Sequence, residues 1–377
     1  MPNRDGITER VFQSPSKYVQ GPNALKNAAK HLSHLGRAPL LLCDDIVYEI
    51  AGKELTTALE HADYKLTRAT FSGEATTTEI ARLVASARSA SPPADFVLAL
   101  GGGKTLDTGK AVAAELGVPV AVVPTTASTD APCSAITVLY TPEGQFAGGL
   151  VHARNPALVL VDTGVVARAP PRFLSAGIGD ALATHVEARG IRNTPNFGGG
   201  LPTEVSGAIG ARCEEILFKY GRQAVLANKA GAVTPALEKV VEANTLLSGL
   251  GFESGGVAAA HSIHDGLTAL DNHALHSKLH GEKVAFGIIG QLILDGAPTS
   301  ELDRYIGLMH SVDLPVTFAD LGVPDISDDD IRIVAKAACA PMAVIWSMDS
   351  HISEEIVFHS IKGADAAGRD YLARLQK

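Results

Sequence analysis

The sequence predicts an α/β N-terminal domain built on a parallel sheet, followed by an all-α C-terminal domain. Three observations predict this fold class. Short apolar runs alternate with helical stretches in the first part, strand-like runs almost vanish afterwards, and 377 residues exceed what one hydrophobic core usually serves. The double proline Pro170–Pro171 marks the change, so we predict domains at 1–168 and 169–377.

The N-terminal part contains four predicted strands, because nearly continuous apolar sequence is typical of parallel strands that are covered on both faces. Gly, Pro or Asp bounds each of them. They are PLLLC (39–43), DFVLAL (95–100), VPVAVV (118–123) and ALVLVD (157–162). Helices are predicted between them at 76–90, where Thr76 and Glu79 have capping-box spacing, and at 105–117.

Long segments rich in Ala, Leu and Glu follow the double proline and indicate helices. The segments are 205–220, 235–250, 283–295, 327–340 and 353–375. A further helix is predicted within AGIGDALATHVEAR (176–189). The second part of the chain is therefore predicted to be all-helical.

Charge and composition exclude several classes of protein. The net charge of −9 comes without a basic stripe, which argues against a nucleic-acid binder. There is no uninterrupted apolar window of membrane-spanning length and no apolar signal core at the N-terminus, so we expect a cytoplasmic protein with no membrane partner. The four cysteines are scattered without a CxxC pair and are expected to be buried, reduced side chains. They are Cys43, Cys133, Cys213 and Cys339.

A glycine triplet, Gly101–Gly103, stands between a predicted strand and a predicted helix. Glycines there let the backbone approach a ligand, and a helix start presents unpaired N–H groups, so a pyrophosphate fits this turn. The sequence matches neither GxGxxG nor GxxxxGK[ST], and a tight structural turn is the alternative. Lys104 would meet a phosphate or lie in solvent, and Asp107 is interpreted as a favourable helix-dipole charge.

Polar residues gather in VPTTASTDAPCS (123–134), directly after a predicted strand. The carboxyl ends of strands are where open α/β sheets bind ligands. A Ser/Thr-rich turn that satisfies its own backbone is the alternative interpretation. The candidate ligand-binding side chains are Thr125, Ser128, Asp130 and Ser134.

Five histidines fall between residues 261 and 280, after the very small residues of GGVAAAHSIHDG (255–266). His261 and His264, three apart, share a helix face, whereas His276 and His280, four apart, are a competing pair. Asp180 begins a predicted helix elsewhere. Two imidazoles and one carboxylate from three segments would form a divalent-metal site with an open fourth position, as catalytic sites have.

Five motifs in register resemble the iron-containing (group III) alcohol dehydrogenase family, and within it the glycerol dehydrogenases. The likeness runs from about residue 18 to about residue 340. The motifs are GGGKTLDTGKA, VPTTASTDAPCSA, AGIGDALATHVEAR, NTLLSGLGFESGGVAAAHSIHDGLTAL and HGEKVAFG.

The resemblance implies a dinucleotide-binding α/β domain, a helical metal domain and metal ligands Asp180, His261 and His280. The metal would be zinc, with iron or another divalent ion as alternatives. Asp130 would touch the substrate, and His264 would face the nicotinamide and help carry a proton away. The implied NAD-binding residues are Asp44, Gly102, Gly103, Lys104, Thr125, Ser128, Ser134, Ile136 and Tyr140. An Asp44 carboxylate on the adenosine ribose favours NAD over NADP.

The implied activity is metal-assisted hydride transfer from glycerol or a related vicinal diol to NAD. The implied binding partner is a small polyol, and the resemblance implies a homo-oligomer, specifically an octamer. Related alternatives are a glycerol-1-phosphate dehydrogenase and a sugar-phosphate lyase resembling dehydroquinate synthase. Both need a basic pocket, and only Lys278 and Lys283 are conspicuous near the histidines. The segments 192–206 and 341–353 depart from the expected pattern, so the preferred polyol is left open.

Overall fold

The computed structural model describes residues 6–191, 193–348 and 351–376. Two compact units emerge from the packing of the chain. The sheet unit comprises Ser14–Pro170 and Leu226–Gly249, and the helical unit comprises the chain up to Gln13, Pro171–Val225 and the chain from Leu250 onwards. The sequence-based division at 168/169 assigns all of 226–249 to the C-terminal part, whereas this segment packs within the sheet unit.

The sheet unit contains eight strands. They are β1 (Tyr18–Gly21), β2 (Pro39–Cys43), β3 (Thr67–Thr70), β4 (Phe96–Gly101), β5 (Val120–Pro124), β6 (Ile136–Tyr140), β7 (Phe146–Val151) and β8 (Leu158–Asp162). Six of them form one parallel sheet in the order β1-β8-β5-β4-β2-β3. Every residue of β2, β4, β5 and β8 is buried, as expected for strands covered on both faces.

The remaining two strands, β6 and β7, form an antiparallel hairpin that the sequence analysis did not predict. Strand β7 is largely exposed, and its sequence FAGGLV includes two glycines, so it lacks the apolar continuity of the buried strands. Strands β1 and β3 were likewise missed, since YVQG and TRAT are short and mostly half-buried at the two edges of the sheet.

Short and medium helices connect the strands or follow the last of them. They are α1 (Ala28–Leu32), α2 (Asp45–Val47), α3 (Lys53–Glu60), α4 (Thr77–Arg88), α5 (Gly103–Leu116) and α6 (Thr163–Arg168). The predicted helices 76–90 and 105–117 correspond to α4 and α5. Thr76 caps α4 by accepting from the Glu79 N–H (3.0 Å), but the Glu79 carboxylate accepts from the Ser72 N–H (2.9 Å) and from Arg82 rather than completing a capping box.

The remaining helices begin at the second residue of the double proline, Pro171. They are α7 (Pro171–Ala188), α8 (Glu204–Lys229), α9 (Pro235–Glu242), α10 (Ser248–Gly255), α11 (Ala259–Thr268), α12 (His273–His276), α13 (His280–Leu294), α14 (Thr299–Ser311), α15 (Phe318–Leu321), α16 (Asp328–Ala338) and α17 (Glu354–Leu375). A π-helical turn, Ala243–Leu247, joins α9 to α10. The five long helical segments predicted after the double proline are all helical, and the fold class is confirmed. None of the described helices combines the length and apolar character that crossing a membrane requires.

The core of the helical unit is formed where α13 packs against α7 and α11. All three helices carry small residues at these contacts, and Ala258, Ala259 and Ala260 are fully buried. The run of small residues before His261 therefore allows α11 to lie deep in this core. This arrangement fixes the relative positions of the side chains that the three helices carry.

The two segments that depart from the expected pattern both lie in the helical unit. In 192–206, Asn196 donates to the carbonyl oxygens of Val11 and Ser254 (both 2.8 Å), which ties the N-terminal chain to α10. In 341–353, the Ile345 N–H donates to Ser262 Oγ (2.9 Å), so this segment packs on α11 beside His261. Arg192, Asp349 and Ser350 lie outside the described residues.

Candidate functional site

Three side chains from three helices converge in the helical unit. Asp180 lies on α7, His261 in the first turn of α11, and His280 at the first position of α13. One potential ligand atom from each lies within 4.8 Å of the others. The Nε2 atoms of His261 and His280 are 3.5 Å and 3.1 Å from Asp180 Oδ1. Among the residues that the structure describes, this is the one group of three or more such side chains placed to hold a metal ion.

The start of α13 is anchored so that His280 faces this cluster. Glu282, in the first turn of the helix, accepts from the Leu279 N–H (2.7 Å) and pairs with Arg172 of α7 through two hydrogen bonds (2.7 and 2.6 Å). Arg172 also donates to the Ser277 carbonyl oxygen (2.9 Å). Arg172, at the start of the helix that carries Asp180, therefore fixes the turn that leads into His280.

Electrostatics in the cluster favour positive charge. Burial alone would lower the pKa of His261, but the charge of Glu187 and the hydrogen bond to Asp180 raise it well above the usual value. For Asp180, burial opposes ionisation, yet the charge of His280 and hydrogen bonds from both histidines hold its pKa far below the usual range. A carboxylate and two imidazoles in a negative potential fit a divalent cation of the zinc or iron type.

Glu187 is a member of this site that the sequence analysis missed. It lies on α7 seven residues after Asp180, is fully buried, and its Oε2 is 2.7 Å from Nδ1 of His261. The spacing of two helical turns, which places both carboxylates on one helix face, is the signal that sequence alone contained.

His264 lies one turn after His261 but is not part of the ligand group. It is buried, its Nδ1 is 2.9 Å from Asp265 Oδ1, and its ring centroid is 4.2 Å from that of His280. Burial, followed by the charges of His280 and Lys283, lowers the pKa of His264 well below the usual value, and burial raises the pKa of Asp265 to about 6. His264 is therefore a neutral imidazole near pH 7, able to accept a proton.

The competing pair of His276 and His280 is not supported by the structure. His276 ends the four-residue helix α12, and His280 begins α13, so the two residues do not share a continuous helix. The four-residue spacing therefore does not place them on one face, and His276 is absent from the ligand group.

In the sheet unit, the glycine triplet forms the turn from β4 into α5. Gly102 is extended and Gly103 begins the helix. A β-carbon on Gly103 would lie 3.1 Å from Thr129 Oγ1, so this turn packs closely against the loop after β5. Lys104, half-exposed, contacts the Glu74 carboxylate, and its Nζ lies 5.5 Å from the centre of the Tyr140 ring.

The loop after β5 is held by its own polar groups and by α5. Thr125 N–H donates to Gly101 O (3.0 Å), and Ser128 Oγ bonds Thr126 Oγ1 (3.0 Å). The buried Lys110 donates to the Ala131 carbonyl oxygen (3.0 Å) and contacts that of Ile136. Two candidates have further partners within the unit, since Ser134 Oγ donates to Ala131 O (3.3 Å) and Asp130 Oδ2 accepts from Ser248 Oγ (2.8 Å).

The other cofactor candidates lie at strand ends in the same unit. Asp44 follows β2 and caps α2, with Oδ1 accepting from the Val47 N–H (2.7 Å). Ile136 opens β6 and Tyr140 closes it. The structure thus places all nine cofactor candidates and Asp130 in the sheet unit, and the three metal-ligand candidates with His264 in the helical unit.

Comparison with known proteins agrees with this arrangement. The family model described as iron-containing alcohol dehydrogenase matches residues 15–163. The chain is 46% identical to a glycerol dehydrogenase of Pseudomonas putida and 44% identical to one of Escherichia coli O6:H1, covering in each case 97% of this chain and 99% of the relative. The crystal structure of glycerol dehydrogenase from Schizosaccharomyces pombe superposes with a TM-score of 0.94 at 36% identity, covering 98% of this chain and 93% of that one.

A parallel α/β unit with a helical unit that gathers Asp180, His261 and His280 defines a metal-binding dehydrogenase fold. The chain belongs to the iron-containing alcohol dehydrogenase family, in the branch formed by the glycerol dehydrogenases. The resemblance noted in the sequence is thereby confirmed.

Proposed function

We propose that the protein is an NAD-dependent, metal-dependent dehydrogenase that oxidises glycerol, or a related vicinal diol, to dihydroxyacetone or the corresponding hydroxyketone. The convergence of Asp180, His261 and His280 within 4.8 Å is the observation that carries the proposal. Its substrate class is supported by the identity with glycerol dehydrogenases along nearly the whole chain.

The residues of the helical unit divide the work of the reaction. Asp180, His261 and His280 would hold the cation, which when bound lowers the pKa of an alcohol hydroxyl and so favours hydride transfer to NAD. His264 would accept the hydroxyl proton, because its lowered pKa keeps the ring unprotonated and its Nδ1 is engaged by Asp265, which leaves Nε2 as the acceptor. Asp130, fixed by Ser248, would orient the polyol.

NAD binding is assigned to the sheet unit. Gly102 and Gly103 would let the pyrophosphate approach the start of α5, and Lys104 would exchange its contact with Glu74 for one with the phosphates. Asp44 would accept a ribose hydroxyl with the oxygen that does not cap α2. The further cofactor contacts proposed are Thr125, Ser128, Ser134, Ile136 and Tyr140.

We further propose zinc as the metal, a cytoplasmic location and a homo-oligomeric assembly, an octamer by family resemblance. Two imidazoles and one carboxylate are a ligand set used by catalytic zinc. All four cysteines are buried free thiols, which is typical of a reducing compartment.

The test is to strip the protein of metal, supply NAD and glycerol, and follow NADH absorbance while zinc is titrated. We expect activity to return near one zinc per chain. Zinc binding without NADH from glycerol or any other unphosphorylated diol would contradict the proposed substrate class. Turnover only with phosphorylated substrates would instead favour the glycerol-1-phosphate dehydrogenase or lyase alternatives.

A further inference from the structure

Glu187 contacts the edge of the His261 ring that is opposite the one facing Asp180. Its Oε2 lies 2.7 Å from Nδ1 of His261, whereas Nε2 of the same ring faces Asp180. The side chain of Glu187 is fully buried, and that of His261 is only 16% exposed. The imidazole is therefore bracketed by two carboxylates of one helix, one at each ring nitrogen.

Glu187 also receives hydrogen bonds from the backbone at the start of α11. Its Oε1 accepts from the N–H groups of Ala258 (2.8 Å) and His261 (3.0 Å). Ala258, the residue that precedes the helix, provides no side-chain cap. A carboxylate is stabilised at a helix N-terminus by such bonds and by the helix dipole. It offers only acceptor oxygens here, so Nδ1 of His261 must be the donor.

We propose that Glu187 is a positioning residue that keeps the Nδ1–H tautomer of His261, turns its Nε2 towards the cation, and thereby sets the metal affinity of the site. The inference rests on the proposed metal site. A histidine that ligates metal through one nitrogen has its tautomer and ring orientation fixed by the bond made at the other nitrogen. Glu187 makes that bond at Nδ1, the nitrogen that does not face Asp180, and it is not a member of the candidate ligand group.

A purely structural role as a helix cap is the competing explanation, and the chain offers a matched control for it. Gln291 of α13 accepts from the Ala260 N–H (3.0 Å) and donates to the Val186 carbonyl oxygen (3.2 Å). It is fully buried and caps the same turn of α11, but its hydrogen bonds to α11 and α7 go to the backbone rather than to the imidazole. Loss of Gln291 therefore removes a cap and leaves the Glu187–His261 bond in place.

The experiment measures the dissociation constant for Co²⁺ by competition with a chromogenic chelator, together with the cobalt visible spectrum and the melting temperature. Wild type, Glu187→Gln, Glu187→Asp and Gln291→Met are compared. We expect Glu187→Gln to weaken Co²⁺ binding by about 10- to 100-fold and to alter the spectrum. Glu187→Asp, which keeps the charge on a shorter side chain, should fall between it and wild type. Gln291→Met should lower the melting temperature with less than about a threefold change in affinity.

The outcomes separate the possibilities. Affinity in folded Glu187→Gln within about threefold of wild type would overturn the inference, as would an equal loss in Gln291→Met, which would make the role one of capping alone. If Glu187→Gln does not fold, Glu187→Asp is compared with Gln291→Met instead. A Co²⁺ affinity of Glu187→Asp within about threefold of wild type, or an equal loss in Gln291→Met, would then overturn the inference. If wild-type protein fails to bind Co²⁺, the proposed function fails as well, whereas unchanged affinity in Glu187→Gln alone leaves the proposed function intact.

Discussion

Gly179 of α7 and Gly281 of α13 face each other backbone to backbone. A β-carbon on Gly179 would lie 2.3 Å from the Gly281 carbonyl oxygen, and one on Gly281 would lie 1.8 Å from the Ala176 carbonyl oxygen. Gly179 directly precedes Asp180, and Gly281 directly follows His280. The close approach of these two helices is therefore what allows Asp180 Oδ1 and His280 Nε2 to come within 3.1 Å.

Gly281→Ala is expected to weaken both the fold and the metal site. The added methyl group has no space against the Ala176 carbonyl, so α7 and α13 must separate, and overpacking of this kind costs about 1–3 kcal/mol. Chemical denaturation and Co²⁺ titration check the two effects. Gly207→Ala is the control, since Gly207 is exposed within α8 with nothing near its β-carbon position, and alanine there should be neutral or stabilise by up to about 1 kcal/mol. Unchanged stability in Gly281→Ala would contradict the packing argument.

Asp130→Asn is expected to lower catalytic efficiency with glycerol by roughly 10- to 100-fold, the effect of losing a charge-assisted hydrogen bond. Metal binding should not change, because Asp130 is not a member of the candidate ligand group. Steady-state kinetics with glycerol and Co²⁺ titration of the same variant provide the measurement. Wild-type kinetics in Asp130→Asn would remove Asp130 from the proposed substrate contacts.

Asp44→Ser is expected to reduce the preference for NAD over NADP by about tenfold or more. The substitution removes the carboxylate that repels a 2′-phosphate, while a serine hydroxyl can still cap α2 through the Val47 N–H. The measurement is kcat/KM for each cofactor at saturating glycerol. An unaltered ratio with a normal melting temperature would place the ribose elsewhere.

Cys339 is expected to react only slowly with thiol reagents at pH 8. Burial, together with the charge of Glu354, raises the pKa of Cys339 to about 11, so only roughly one thiol in a thousand is the reactive thiolate at that pH. Because the pKa is raised, alkylation should accelerate as the pH increases towards 11 and stay slow below it. Mass spectrometry after iodoacetamide treatment checks this, with urea-unfolded protein as the fully labelled control. Rapid labelling of native Cys339 at pH 8 would contradict the burial.

The sequence was sufficient to predict the elements with strong apolar patterning, and the family resemblance pointed to three side chains that the structure brings together. The buried strands β2, β4, β5 and β8 could be predicted because continuous apolar runs are typical of parallel strands covered on both faces. Strand β7 was not, because an exposed hairpin strand with two glycines carries no apolar signal. The four-residue spacing of His276 and His280 places them on one face only if one helix contains both residues. The chain instead breaks between α12 and α13, and the spacing does not indicate that break.

The contact between Glu187 and His261 also could not be predicted without the tertiary structure. Its distance of seven residues from Asp180 indicates a shared face, but nothing in the sequence indicates that the start of α11 lies against that face. Asp180, His261 and His280 were assigned by resemblance, and the local pattern alone left the choice of histidines open.

Because 226–249 packs within the sheet unit, that unit cannot be separated from the rest of the chain by a single cut. Asn228 donates to the carbonyl oxygens of Val166, Ala167 and Ala169, Thr245 bonds Tyr18, and Asn244 donates to Ala127 O. A fragment cut after residue 168 would lose all of these partners. Neither unit is one continuous stretch of chain, so an exchange between relatives would have to transfer both stretches of the sheet unit together, or all three of the helical unit.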